Sequence, residues 1–231
     1  MCGRMTQTKK RVPEKHPLAD VVNGAGLAPS YNIAPAQPVA VITQEAPDRV
    51  QFLSWGLPAM VHNRSQLLIN ARAETLLERP TYRPLLEAGK TCLILADGFY
   101  EWKNVAKNNR IPHRFLLQDE ELFAIAGLYK TVIDRETGEL QQHFTLITTE
   151  PNTLLSGIHD RMPAILPRHA ERDWLKPQSS PQHYLPMLQP YDTALMQAYP
   201  VAREVSSPGN NYPELIRRAD YPAQPEQLSL F

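Results

Sequence analysis

Between Thr91 and Thr149 the chain carries one short apolar or alternating run after another: residues 92–96, 99–103, 113–118, 122–130 and 144–149. Aliphatic and aromatic residues dominate these runs, and polar pairs such as Asn108-Asn109 and Thr137-Gly138 fall between them. Segments of this length and make-up read as strands joined by turns. Residues 39–43, 50–55 and the short 67–70 add strands upstream. The first of these is entered through Tyr31-Asn32-Ile33-Ala34-Pro35, where Pro35 holds Ala34 extended. Helical signals are short: 71–78 ending before Pro80, a turn over 85–88 stopped by Gly89, then 152–156, 168–175 and 191–199. Residues 5–31 read as loop with at most one short helix. Strands first and helices after predict an α+β fold, a curved, mainly antiparallel, barrel-like sheet flanked by short helices. A single domain is expected over residues 2–216. The proline-spaced stretch 217–231 is expected to be a flexible tail.

The chain has 231 residues, 42% of them hydrophobic, which suffices for one large core. Lys plus Arg and Asp plus Glu are equal at 24 each, so there is no global basic field. Contact with nucleic acid must come from a local patch of a few arginines. The two cysteines, Cys2 and Cys92, make no disulfide framework and suit a reducing cytoplasm. Cys92 sits in an apolar strand and reads as a core thiol. No run approaches a membrane span, and no apolar signal core opens the chain. The 22 prolines are scattered, which predicts many rigid loops.

The chain opens Met1-Cys2-Gly3-Arg4. Removal of Met1 leaves Cys2 with a free α-amine and a thiol on adjacent carbons. Their ordinary pKa values, about 8 and about 8.5, leave both partly nucleophilic near neutrality. An aldehyde meeting such an aminothiol forms an imine with the amine, and the thiol then closes a thiazolidine ring. Taken alone, Cys2 reads more readily as an incidental second residue.

Three further stretches place polar groups in apolar surroundings. Asn70 and Arg72 lie two apart at a strand end, where one side chain can orient a small polar group and the other bind a phosphate. The same spacing fits a helix start with Asn70 as its cap. In Asp97-Gly98-Phe99-Tyr100-Glu101-Trp102, alternation puts Phe99 and Glu101 on one face, and Gly98 fits a bulge. A carboxylate among aromatic rings is poorly solvated and can relay protons near neutrality, whereas an exposed edge-strand Glu101 would do nothing. In Gly157-Ile158-His159-Asp160-Arg161-Met162-Pro163, His159 is the best acid–base candidate. The remaining histidines (16, 62, 113, 143, 169 and 183) read as surface residues. With no metal-site spacing, P-loop or dinucleotide fingerprint, no metal or nucleotide cofactor is indicated.

Taken in order, Cys2-Gly3-Arg4, Tyr31-Asn32-Ile33-Ala34-Pro35, Trp55-Gly56, Asn70-Ala71-Arg72-Ala73-Glu74-Thr75, residues 96–102, residues 158–163 and the closing stretch 200–216 resemble the SOS-response-associated peptidase (SRAP) domain. The resemblance implies that Met1 is removed, hence the peptidase name. It implies that Cys2 then forms a thiazolidine crosslink with the ring-opened aldehyde of an abasic site in single-stranded DNA. By position, Asn70 would hold Cys2 and the opened sugar, Glu101 would shuttle the proton of the Cys2 amine or thiol, and His159 would act on the sugar ring. Arg4 and Arg72, with Arg161 as a further candidate, would grip flanking phosphates. Trp55 and Met60 are the implied base contacts. After Trp55-Gly56 many members carry a longer segment with another tryptophan; here it is Leu57-Pro58-Ala59-Met60-Val61-His62, and Met60 or Val61 would take the wedge's place.

The chain ends Gln227-Leu228-Ser229-Leu230-Phe231, which resembles the peptide by which bacterial replication and repair proteins bind the β sliding clamp. Leu230 and Phe231 would fill an apolar pocket while Gln227 hydrogen-bonds at a second one, and Leu228 is a further clamp-binding candidate. The expected protein is a cytoplasmic monomer without cofactor that acts on single-stranded DNA at replication forks. Two rivals are a thiol peptidase acting on other proteins through Cys2, Glu101 and His159, and a non-covalent module binding DNA and clamp.

Overall fold

The computed structural model describes residues 2–61, 64–106, 109–134 and 137–222. Its strands are β1 (Met5–Gln7), β2 (Ser30–Ile33), β3 (Pro38–Thr43), β4 (Ala46–Trp55), β5 (Leu57–Val61), β6 (Arg64–Leu68), β7 (Asn70–Arg72), β8 (Thr91–Ala96), β9 (Gly98–Ala106), β10 (Asn109–Leu117), β11 (Phe123–Ile133), β12 (Leu140–Thr149), β13 (Met162–Pro163) and β14 (Met196–Pro200). Short helices α1 (Ala19–Val22), α2 (Arg83–Glu87), α3 (Thr153–Ser156) and α4 (Arg168–Trp174) lie between them. The α+β expectation, with a curved and barrel-like sheet, holds. In the order β11-β8-β3-β4-β12 the strands run round until β12 pairs back onto β11, so the sheet closes. The β4–β12 pairing is parallel, which makes the barrel mixed. A second, antiparallel sheet runs β14-β10-β9-β1-β2. The ribbon β5–β6 pairs only with itself among the described residues.

The apolar runs 39–43 and 92–96 are buried on both faces, as continuous hydrophobic runs require. Val39, Val41, Ile94 and Ala96 face Phe99 and Phe115 of the second sheet. Their alternates Ala40, Ile42, Leu93 and Leu95 face Val22, Leu86 and Trp174, contributed by the helices and the loops that follow them. Each large side chain sealed this way stabilises the fold by about 1.5–3 kcal/mol. Gly56 turns the chain from β4 into β5 at φ +118°, and a side chain there would meet Leu67 at 2.8 Å. Cys92 is a buried core thiol.

Several local expectations change. Residues 191–199 are not a helix: a 3₁₀ turn at Thr193–Leu195 leads into β14, which pairs with β10. Residues 71–78 are not a helix either. Asn70–Arg72 lies parallel to β12, Ala73–Thr75 forms a 3₁₀ turn, and residues 76–78 continue as turn. In residues 5–31 the structure adds β1, whose residues are all buried although two are polar. Within the expected tail, residues 219 and 221 are held by the fold: Ala219 donates to the Pro200 carbonyl and the Tyr221 hydroxyl to the Val201 carbonyl. No helix among the described residues is long and apolar enough to cross a membrane.

Candidate active site

The site is built where β1 lies beside β9. Met5 pairs with Phe99 and Thr6 with Gly98, and the Tyr100 amide donates to the Arg4 carbonyl, so Cys2 is carried toward Glu101. Asp97 anchors this arrangement. Its buried carboxylate accepts from the amides of Thr8 and Lys9 at 2.7 and 2.9 Å, from the hydroxyls of Thr6 and Thr8, and from the Arg114 guanidinium at 3.2 Å. Gly98 is not a bulge, because its pairing with Thr6 is in register. It is glycine because a Cβ would stand 2.8 Å from both Arg114 Nε and Thr6 Oγ1.

Four side chains meet at the end of β1. The Asn70 amide donates to the Cys2 carbonyl at 2.9 Å, and the Cys2 thiol donates to the Arg161 carbonyl at 3.8 Å. Tyr82 donates to the Asn70 carbonyl at 3.1 Å and holds that residue from behind. His159 Nε2 lies 3.8 Å from Glu101 Oε2, and Glu101 is only 3% exposed. The Arg161 amide donates to His159 Nδ1 at 3.1 Å. A backbone N–H can only donate, so the neutral ring carries its proton on Nε2, toward Glu101. Asp160 is also 3.1 Å from Nδ1, but its side chain is 79% exposed and water weakens its pull.

Burial pushes the Cys2 thiol well above its ordinary range, and the Glu101 charge pushes it further. Burial also raises the Glu101 carboxyl, against the opposing pull of His159. In this state the thiol is neutral and Glu101 is a stronger base than an exposed carboxylate. Two acceptors, Asn70 Oδ1 and Glu101 Oε1, are buried without a hydrogen-bond partner. Orphaned acceptors of this kind cost about 1–3 kcal/mol each and mark places where a donor belongs. No cluster of three or more His, Cys, Asp or Glu side chains among the described residues can hold a metal.

The other expected site residues divide. Arg72 is exposed, beside Asn70 on β7. Met60 is 65% exposed on the β5–β6 ribbon. Trp55 is instead a core residue: it is buried, stacks on Phe144 at 6.2 Å and donates to the Ile69 carbonyl, so it presents no face to a base. Arg161 is not a free cation. Its guanidinium makes paired bonds to Glu74 at 2.7 and 2.9 Å and a bond to the Thr148 carbonyl. Arg4 is half-buried, bonded to Asn32 Oδ1 at 2.8 Å and to the Val205 carbonyl at 2.6 Å. His16 is not a surface residue: it is buried with Nε2 3.8 Å from Glu171. Gln227, Leu228, Leu230 and Phe231 lie outside the described residues, as do Met1 and His62.

Sequence reasoning passed over Asp97, Arg114, Asn32 and Glu74 as supports. For Asp97 a signal was present, a lone carboxylate at the end of the apolar run 92–96. For Glu74 there was none, since its partner is 87 residues away.

A family model described as SOS response associated peptidase (SRAP) matches residues 1–208. The abasic site processing protein YoqW of Bacillus subtilis is 42% identical over 223 residues, covering 94% of this chain and 99% of that protein. The abasic site processing protein HMCES of Xenopus tropicalis is 29% identical, covering 81% of this chain and 65% of its own. A crystal structure of a protein from Bacteroides thetaiotaomicron superposes with a TM-score of 0.77 at 30% identity, over 94% of this chain and all of that one.

Proposed function

This chain belongs to the SOS response associated peptidase family, and from that premise we propose that it processes abasic sites in DNA by capturing the opened sugar on Cys2. Relatives named abasic site processing proteins support the substrate. The observation that carries the chemistry is the pair of orphaned buried acceptors, Asn70 Oδ1 and Glu101 Oε1, beside Cys2. Removal of Met1 creates an ammonium group, whose three N–H donors answer both acceptors.

In this reading Glu101 takes a proton from that ammonium, and the free amine attacks the aldehyde carbon. His159 protonates the departing hydroxyl, water leaves and an imine remains. The thiol adds to the imine carbon, its proton passes to the nitrogen, and the thiazolidine closes. The balance is one C–N bond and one C–S bond formed and one water released. Exposed Arg72 takes a flanking phosphate, and Met60 wedges against a base. The family's peptidase name fits loss of Met1 through the Cys2 thiol. A peptidase acting on other proteins is poorly supported, since the thiol is buried and neutral. The chain acts as a cytoplasmic monomer, brought to forks by Gln227, Leu228, Leu230 and Phe231 on the sliding clamp.

The test is a denaturing gel and intact mass after mixing processed protein with single-stranded DNA bearing one abasic site. A surviving band, lighter than the sum of its parts by one water and absent for Cys2→Ala, is expected. Met1-free protein that forms no such band overturns the proposal.

A further inference from the structure

We propose that the groove between the outer ends of β9 and β10 and residues 218–222 carries the phosphodiester backbone of single-stranded DNA leaving the capture site on the side away from Arg72. This rests on the reading that Cys2 captures DNA.

The groove encloses about 380 Å³, and its walls include Lys103, His113, Pro200, Arg218 and Tyr221. It adjoins the site through the sheet. His113 pairs directly with Glu101 across β9 and β10, so their Cβ atoms stand about 4.5–5.5 Å apart on one face. Lys103 follows Glu101 by two residues and shares that face. A continuous line therefore runs from Asn70 through Cys2, Glu101 and His113 into the groove, and Arg72 lies at its other end.

The charges there are unspent. Lys103 is exposed, and its side chain makes no ion pair or hydrogen bond among the described residues. Arg218 stacks on the Tyr199 ring at 5.2 Å, whereas Arg203, outside the groove, spends its donors on the Arg110 carbonyl and Asn109 Oδ1. Asp220 lines the groove too and offsets one of these charges. Elsewhere several exposed cations are neutralised in pairs, Arg83 with Glu87, Arg172 with Asp20 and Lys176 with Asp173. On a chain with no net charge, only such a local excess can hold a polyanion. Unpaired cations in line with a sugar-binding residue fit the repeating phosphates of a strand.

The experiment measures anisotropy of an undamaged, labelled single-stranded oligonucleotide against salt. The proteins are wild type, the double variant Lys103→Glu/Arg218→Glu, and Arg83→Glu as a matched charge reversal on α2. The double variant is expected to bind at least tenfold more weakly. Its slope of log affinity against log salt should be shallower by about 0.7 for each phosphate that is no longer neutralised. Arg83→Glu should match wild type. Lys103→Glu alone, which breaks no side-chain bond, repeats the effect on a smaller scale and guards against misfolding of the double variant. Equal affinity and slope in all four proteins overturn the groove, as does equal weakening by Arg83→Glu. Adduct formation on abasic DNA is scored separately. Wild type that crosslinks while the groove variants bind normally sinks this inference alone. Wild type that fails to crosslink while they bind weakly sinks the capture reading alone.

Discussion

Arg161 grips the Glu74 carboxylate through two parallel hydrogen bonds, at 2.7 and 2.9 Å, while its own carbonyl accepts the Cys2 thiol. Its amide also fixes His159. Glu74 thus positions two site residues without touching either. Burial pushes its carboxyl up, but the Arg161 bond and charge outweigh this and hold it below the ordinary value. A depressed carboxyl contributes stability above its unfolded pKa that is lost as pH falls through the folded one. Because Glu74 is 51% exposed, solvent screening limits the effect. Glu74→Gln is expected to cost about 1 kcal/mol at pH 7 and to approach wild type below pH ~4. Urea denaturation at both pH values measures this, and slower adduct formation at pH 7 reports the loosened site.

In the proposed mechanism Glu101 would carry the pH dependence of capture. Burial raises its carboxyl, so the base form is lost at a higher pH than for an exposed glutamate. The rate of adduct formation should therefore fall on acidification through a limb lying above the ordinary carboxylate range. Glu101→Gln should be slower by about 10²-fold, and the limb should vanish. Rates between pH 4.5 and 8 settle it; an unchanged limb in the variant assigns it to another group.

Asp97 is the costliest carboxylate to remove. Asp97→Ala leaves the buried Arg114 guanidinium without its counter-charge and frees the hydroxyls and amides of β1 and its flank. A loss of about 3–5 kcal/mol is expected, read from the urea midpoint.

The buried pair His16–Glu171 makes stability depend on pH in a second place. Burial lifts the Glu171 carboxyl to about 7, against the pull of Arg168. A raised carboxyl means that the folded state holds the proton longer than the unfolded chain, so stability falls as pH rises from about 4.5 to 7. The loss is about 3 kcal/mol. His16, lowered by burial, works in the opposite direction below its ordinary pKa. Glu171→Gln should flatten the fall between pH 5 and 7.5, as followed by Tm.

The proposed clamp-binding role of the C-terminal peptide can be tested apart from the site. Deleting residues 227–231 should leave crosslinking unchanged and abolish binding to a bacterial sliding clamp in surface plasmon resonance. Undiminished clamp affinity would end that reading.

The central barrel strands β3 and β8 were readable because each is an apolar run buried on both faces, where composition alone decides. What failed was structure set by distant neighbours. Met196–Pro200 follows a helix-like stretch, yet β10 offered it a free edge. Met5–Gln7 is mostly polar and became a buried strand because Asp97 satisfies Thr6. Of the expected site, Cys2, Asn70, Glu101 and His159 lie together in the fold. Trp55 was misassigned because an aromatic at a strand end reads alike whether it faces solvent or Phe144.

The supports of Cys2 lie far along the chain: Glu101 on β9, the Arg161 carbonyl 159 residues on, and, for Arg4, Val205 at a separation of 201. Synthesis delivers the N-terminus first and these partners last. At about 5–20 residues per second, Cys2 waits roughly 10–40 s for Val205 to follow it. The N-terminal segment is therefore made long before the fold that holds Cys2 and Arg4 can close around them.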